Sequence, residues 1–160
     1  MPRLLNQGQT ERLLDFLEQR FQIPKDSFDN YEMYAFSRQA FLFRKQQEPV
    51  TWPEGSFVRC GLPFLRNVAG FLKPTTVFIQ RFGHLARKNV VELCIEDLNE
   101  LCTEGEIIMD NVTQDLELPG YVIIKLQKYF IGAGLLLEGN RLLCRFSKAL
   151  RQALSRITPQ

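Results

Sequence analysis

The side chains able to do chemistry in this chain of 160 residues are mainly cations rather than nucleophiles or metal ligands. Between positions 120 and 160 stand seven Lys or Arg and one acid, Glu138. Arg145 lies on a strand leading into a short helix, and Lys148 and Arg151, three apart, share one face of that helix. Arg66 and Lys73 flank a turn and a helix start, where free backbone N–H groups favour phosphate. Arg59 and Lys125 alternate with apolar neighbours and so point from the solvent face of their strands. Cations spread in this way over a β-rich scaffold are suited to neutralising phosphates. For each of them the competing reading is a solvated surface charge. Tyr129 and Trp52 have the rings to stack on bases, although an aromatic in a β-rich domain is more often core or rim.

Other chemistries lack their parts. Nucleophilic catalysis needs a Ser or Cys activated by a base, yet His84 is the one histidine and nothing around it has triad spacing. Cys60, Cys94, Cys102 and Cys144 contain no C-x-x-C pair, which argues against a structural zinc site. Gly132-Ala133-Gly134 has no third glycine at dinucleotide-loop spacing and sits in a strand context. Close backbone packing or a bulge suits Gly120, Gly132 and Gly134 better. Glu96, Asp97, Glu100, Glu104 and Glu106 read as the solvated face of a short helix, not a metal site. The expectation is a non-catalytic protein with no cofactor and no metal.

Charge is segregated along the chain. Residues 1–50 balance at seven basic and seven acidic, and 51–90 hold six basic against Glu54 alone. Residues 91–119 carry nine acids and no Lys or Arg, before the basic stretch from 120 onward. One reading is mutual neutralisation across the fold. The other, favoured by the aromatics and glycines mixed into both basic blocks, has the blocks converging on one face with the acidic block turned away.

The elements that must position these residues follow from periodicity. Leu13, Leu14, Phe16, Leu17 and Phe21 have helical spacing, with Thr10 as N-cap and Ile23-Pro24 as the stop. Two aromatic runs, Tyr31–Phe36 and Ala40–Arg44, form a β-hairpin. Glu48–Gly55 is a turn-rich connector, and Phe57–Leu65 a strand pair or a bent strand around Gly61 and Pro63. Pro74 sits in the first turn of a helix running to about Ala86. Asn89–Ile95 is a strand, Glu96–Cys102 a helix closed near Gly105, and Met109–Pro119 a polar loop. Tyr121–Leu126 and Phe130–Leu137 are strands, Gly139-Asn140 turns into Arg141–Phe146, and Ser147 caps the last helix. Most of the 13 Phe must be core. The first residues lack the apolar stretch of a secretory signal, and no apolar run is long enough to span a bilayer, so a soluble cytoplasmic protein with reduced thiols is expected.

Several short motifs in this order carry a resemblance. Val58-Arg59-Cys60-Gly61-Leu62, Leu72-Lys73-Pro74-Thr75-Thr76 and Lys88-Asn89-Val90-Val91-Glu92-Leu93 resemble the C-terminal RNA-binding extension of Nol/Nop/Sun-class RNA cytosine-5 methyltransferases. Asp97-Leu98 with Gly105-Glu106-Ile107, Gly120-Tyr121-Val122, Ile131-Gly132-Ala133-Gly134 and Ser147-Lys148-Ala149-Leu150-Arg151 are similar to later parts of it. The resemblance spans most of residues 20–155 and implies an α+β fold. A small N-terminal α/β domain over 1–88 would lead into a PUA-like β-barrel over 89–160. It implies binding of structured rRNA or tRNA in RNA modification or ribosome biogenesis. The alternative is an adaptor for a separately encoded RNA methyltransferase or ribosomal protein, working through the acidic 91–119 face. No cofactor-binding glycine loop or catalytic cysteine of the family's kind is found in this chain, so methyl transfer is not implied. Ser147 stands where the family has Pro. The strongly acidic 96–117 region also moves the expected RNA contacts onto the basic blocks.

Overall fold

The computed structural model describes residues 2–46, 61–110 and 112–156; Trp52, Arg59, Cys60 and the 48–55 connector lie outside the described residues. In chain order the first half runs β1 (Arg3–Leu4), α1 (Gln7–Phe21), β2 (Tyr31–Phe36), β3 (Gln39–Arg44), β4 (Leu62–Val68), β5 (Phe71–Pro74) and α2 (Thr76–Phe82). The second runs β6 (Val90–Glu92), α3 (Ile95–Glu104), β7 (Glu106–Ile108), β8 (Gly120–Leu126), β9 (Tyr129–Leu137), β10 (Arg141–Leu143) and α4 (Lys148–Leu154). The class is α+β. One antiparallel sheet has the order β1-β2-β3-β4-β5 and the other β6-β8-β9-β10-β7. In the second sheet only the β6–β8 pairing is parallel. No closed barrel is seen among the described residues, since closure would require β6 to pair with β7 and these are the sheet's two edges.

Local signals explain most boundaries. Helix α1 starts three residues before Thr10 because Asn6 and Gln9 form a reciprocal capping box, with N···O distances of 2.9 and 3.2 Å. The hairpin of β2 and β3 turns at Ser37-Arg38, with Ser37 at φ 55°. A second hairpin, β4–β5, was not expected. Its turn is Ala69-Gly70, both at positive φ (50° and 88°), a conformation for which Ala gives no sequence cue. Pro74 therefore ends a strand at a sheet edge instead of opening a helix, and its missing N–H is harmless there. Thr75 caps α2 in its place, accepting from the Phe78 amide at 3.1 Å and donating to the Pro63 carbonyl at 2.6 Å. That helix stops at Phe82 and continues as a 3-10 turn, Gly83–Leu85.

The β6 strand is shorter than its apolar run because the Cys94 Sγ is the N-cap of α3, accepting from the Asp97 amide at 3.4 Å. Glu96 and Asp97 then fall in the positive first turn of that helix, and Gly105 closes it in the left-handed region, φ 81°. Residues 106–108, next to the expected polar loop, form β7 instead. Ser147 caps α4 as expected, accepting from the Leu150 amide at 3.2 Å.

The two sheets share their cores. Phe28, Phe64, Phe78 and Phe82 form a ring cluster with centroids 5.3–6.0 Å apart in the contacting pairs. Ile123 of β8 and Ala133 of β9 belong to this same cluster. A second cluster, including Leu98, Leu101, Val122, Ile124, Leu136 and Leu142, fills the space between α3 and the second sheet. At Gly134 an added Cβ would lie 2.7 Å from a Leu142 methyl, so glycine there sets the packing distance, whereas at Gly132 the nearest atoms are at an ordinary 3.6 Å. Phe21, Phe146 and the ring cluster are buried, while Phe36 and Phe71 are exposed.

One polar residue joins the halves. Asn89 is 0% exposed and holds a left-handed φ of 55°, which Asn tolerates better than most residues. Its side chain donates to the Arg20 carbonyl at 2.6 Å and accepts from the Glu117 amide at 2.7 Å. Its backbone donates to Asp115 O at 3.0 Å and accepts from Ile123 N at 2.8 Å. The end of α1, the 112–119 loop and β8 are thereby fixed to one another. Asn89→Ala leaves a carbonyl and an amide without partners and places Ala in an unfavourable φ. The expected loss is about 2–5 kcal/mol of stability, seen as a lower midpoint in urea unfolding with an unchanged slope.

Candidate nucleic-acid interface

Lys73 and Arg145, from the two basic blocks, line the same cleft of about 350 Å³ between the sheets. Tyr121, at the start of β8, forms part of its wall, and the Lys73 Nζ stands 5.5 Å from the centre of the Tyr121 ring. That is a cation–π distance. Lys73 is brought there by the β4–β5 hairpin, not by a helix start. Arg66 lies directly across from Lys73 in the hairpin register, so the two cations project from the same face. Among the described residues neither makes an ion pair with a carboxylate. Like charges placed opposite each other cost stability in the absence of an anion. Arg145 is exposed in the extended segment between β10 and α4.

Tyr121 is held from behind. Arg20 donates from Nε to the Tyr121 carbonyl at 3.0 Å and from Nη2 to the Glu117 carbonyl at 2.7 Å, with Glu117 Oε2 3.4 Å from Nη1. Burial lowers the Arg20 pKa, an effect the Glu117 charge opposes. Gly120 makes room for this guanidinium, since a Cβ there would lie 2.5 Å from Nη2. Burial also raises the Tyr121 pKa, so the ring enters the cleft as a neutral phenol at physiological pH. In the sequence Tyr121 stands at the start of a strand and within the Gly120-Tyr121-Val122 motif, but neither it nor Arg20 is marked there as a site residue. The available signal was a Gly-Tyr step at the start of an apolar strand.

The other expected site residues are more dispersed. Lys148 and Arg151 are both exposed on α4 and do not line the Lys73–Arg145 cleft. Lys125 lies on the outer face of its strand, between buried Ile124 and Leu126, and is ion-paired there to Glu92 at 3.1 Å across the parallel β6–β8 register. Tyr129 is 55% exposed, with Lys128 5.4 Å over its ring. Arg59 and Trp52 lie outside the described residues.

The acidic block is not turned away from the basic ones. Glu117 pairs with Arg20 and Lys88, Glu92 with Lys125, and Glu106 with Arg141 at 2.8 Å. Glu104 and Glu106 also line the Lys73–Arg145 cleft. The reason is topological: β6 and β7, which bracket the acidic helix α3, are strands of the same sheet as the basic β8, β9 and β10. Neutralisation therefore accounts for part of the segregated charge. Lys73, Arg66, Arg145, Lys148 and Arg151 stand outside these pairs.

No helix among the described residues is long and apolar enough to cross a membrane. Cys94 is exposed, Cys102 half-buried and Cys144 buried, and all three are free thiols. The Cys144 Sγ donates to the Ala133 carbonyl at 3.3 Å in the floor of the cleft, and burial pushes its pKa up to about 12. In the folded protein at pH 8, Cys144 is expected to resist iodoacetamide and to become labelled only after unfolding, read by mass spectrometry of its peptide. Labelling at the rate of an unfolded thiol would show that the cleft floor opens. A scan against protein-family models matches none of them to this chain, and a search of curated proteins returns no significant match.

Proposed function

We propose that this chain is a non-catalytic RNA-binding protein for structured rRNA or tRNA, serving RNA modification or ribosome biogenesis in the cytoplasm. In this reading residues 1–88 form a small N-terminal α/β unit, and residues 89–160 form a PUA-like module. Support for the module comes from the motifs that carry the resemblance: Gly120-Tyr121-Val122 and Ile131-Gly132-Ala133-Gly134 are adjacent strands of one sheet. The observation that carries the function is the meeting of Lys73 and Arg145 at Tyr121, with Arg66 across from Lys73 and no carboxylate paired to any of them among the described residues. Phosphate contacts of this kind supply affinity, and the shape of a folded RNA supplies selectivity.

A second reading, a protein-interaction adaptor for a separately encoded RNA methyltransferase or ribosomal protein, is favoured by Ile108. This side chain is 75% exposed on β7, an edge strand within the acidic block. Partners can add a strand to such an edge. Binding to an RNA methyltransferase that survives nuclease treatment and is lost on Ile108→Lys would support it.

Binding to total tRNA and to rRNA fragments over a salt series tests the first reading. Affinity should fall steeply with salt and differ between structured RNAs of equal length. Each phosphate contact contributes about 0.7–0.9 to the slope of log affinity against log salt, so Lys73→Gln with Arg145→Gln should lower it by roughly 1.4–1.8. An unchanged slope would remove these two from the phosphate contacts. No binding at low salt would favour the adaptor.

A further inference from the structure

A second, apolar cavity of about 540 Å³ adjoins the charged cleft and shares Tyr121 and Leu135 with it. Val68 and Phe71 from the β4–β5 hairpin line it together with Phe16 of α1, Pro119 and Leu137. Phe71 is 71% exposed at its mouth, a large ring left in water. Among the described residues Arg20 is the one charged residue lining it, and its guanidinium is already committed to Tyr121 O, Glu117 O and the Glu117 carboxylate.

We propose that this cavity takes a single unpaired nucleotide of the bound RNA, with the base between Phe71 and Tyr121 and the phosphate held by Lys73 and Arg66. The proposal rests on the RNA-binding reading and names what that site accepts. Charge complementarity selects this occupant. An apolar slot lined by Phe16, Phe71 and Tyr121 adjoins the cleft that Lys73 lines, with Arg66 across from Lys73 in the hairpin, and an unstacked base joined to its phosphate has the matching division. Register places Val68 and Phe71 opposite each other, and Arg66 opposite Lys73, on the same face of the hairpin. Ring and cation are therefore presented by one two-stranded element. Glu104 and Glu106 line the charged cleft and not the apolar cavity, where the nearest carboxylate, Glu117, is engaged with Arg20 and Lys88. A duplex has no free base to insert, so the site selects for loops, bulges or ends.

The test uses the full chain and a short hairpin RNA, closed by a stable tetraloop and carrying one bulged nucleotide in its stem, compared with the same hairpin made abasic at the bulge. Phe71→Ser is the main variant, chosen because the ring is exposed and its removal spares the core; Lys73→Gln is the second. Stacking of one base accounts for roughly 5- to 140-fold in affinity. The intact hairpin should therefore bind wild type at least about fivefold more tightly than the abasic one, and Phe71→Ser should remove that difference without changing the salt slope. Lys73→Gln should weaken both hairpins and reduce the slope. Equal binding of the two hairpins, or a difference unaltered by Phe71→Ser, overturns the nucleotide pocket while leaving RNA binding in place. Absence of any RNA binding at low salt overturns both.

Discussion

The arrangement depends on a buried hydrogen-bonded joint centred on Asn89. An amide side chain with no exposed surface would be costly if any of its polar atoms lacked a partner. Here it is satisfied by the carbonyl of Arg20 on α1 and the amide of Glu117 in the loop before β8. The Arg87 and Lys88 amides reach the Phe21 carbonyl at 2.9 and 3.3 Å, closing the same joint from the backbone side. Because Arg20 also grips the Tyr121 carbonyl, the orientation of the cleft's aromatic wall follows from how the two halves are joined. The joint is directional, so it sets a register between the sheets that packing of the shared Ile123 and Ala133 core alone would leave less defined.

Electrostatics divide the cations into two groups. Lys88, Lys125 and Arg141 are engaged with acids from the 91–119 stretch, and exposed pairs of this sort contribute little to stability. Their larger effect is to remove those cations from the field that a ligand meets. Many described cations lie outside these pairs, Arg12, Arg38, Arg81 and Arg87 among them, so Lys73 and Arg145 are set apart by their place beside Tyr121 and not by the lack of a carboxylate partner. A modest overall charge of +2 is therefore compatible with a local anion-binding face.

Much of the fold was legible from local chemistry. The amphipathic spacing of α1, the aromatic alternation of β2 and β3, the Gly105 closure of α3 and the Ser147 cap are short-range signals, and each corresponds to an element or cap. The errors arose where tertiary pairing overrode a local cue. Ala69-Gly70 supports a tight turn although Ala is a poor residue for positive φ, so β5 was hidden and Pro74 looked like a helix start. Glu106–Ile108 is too short to announce itself and becomes a strand only by pairing with β10. Asn6 lies upstream of the apolar pattern, where Thr10 is the nearer capping residue. The candidate site was less legible than the fold. Lys73, Arg66 and Arg145 could be named from charge and context, but their relation to Tyr121 depends on a contact between segments almost 50 positions apart in sequence. The pairing of Lys125 with Glu92 was likewise hidden, because parallel register across an intervening helix leaves no mark in local spacing.

The most direct measurement is amide NMR of the isotope-labelled chain during titration with a structured RNA. The account predicts shifts concentrated at Arg66, Lys73, Tyr121 and Arg145, with weaker effects on α4 and little change along the exposed face of α3. Shifts confined to α3 and β7, with the Lys73 and Tyr121 amides unmoved, would contradict it.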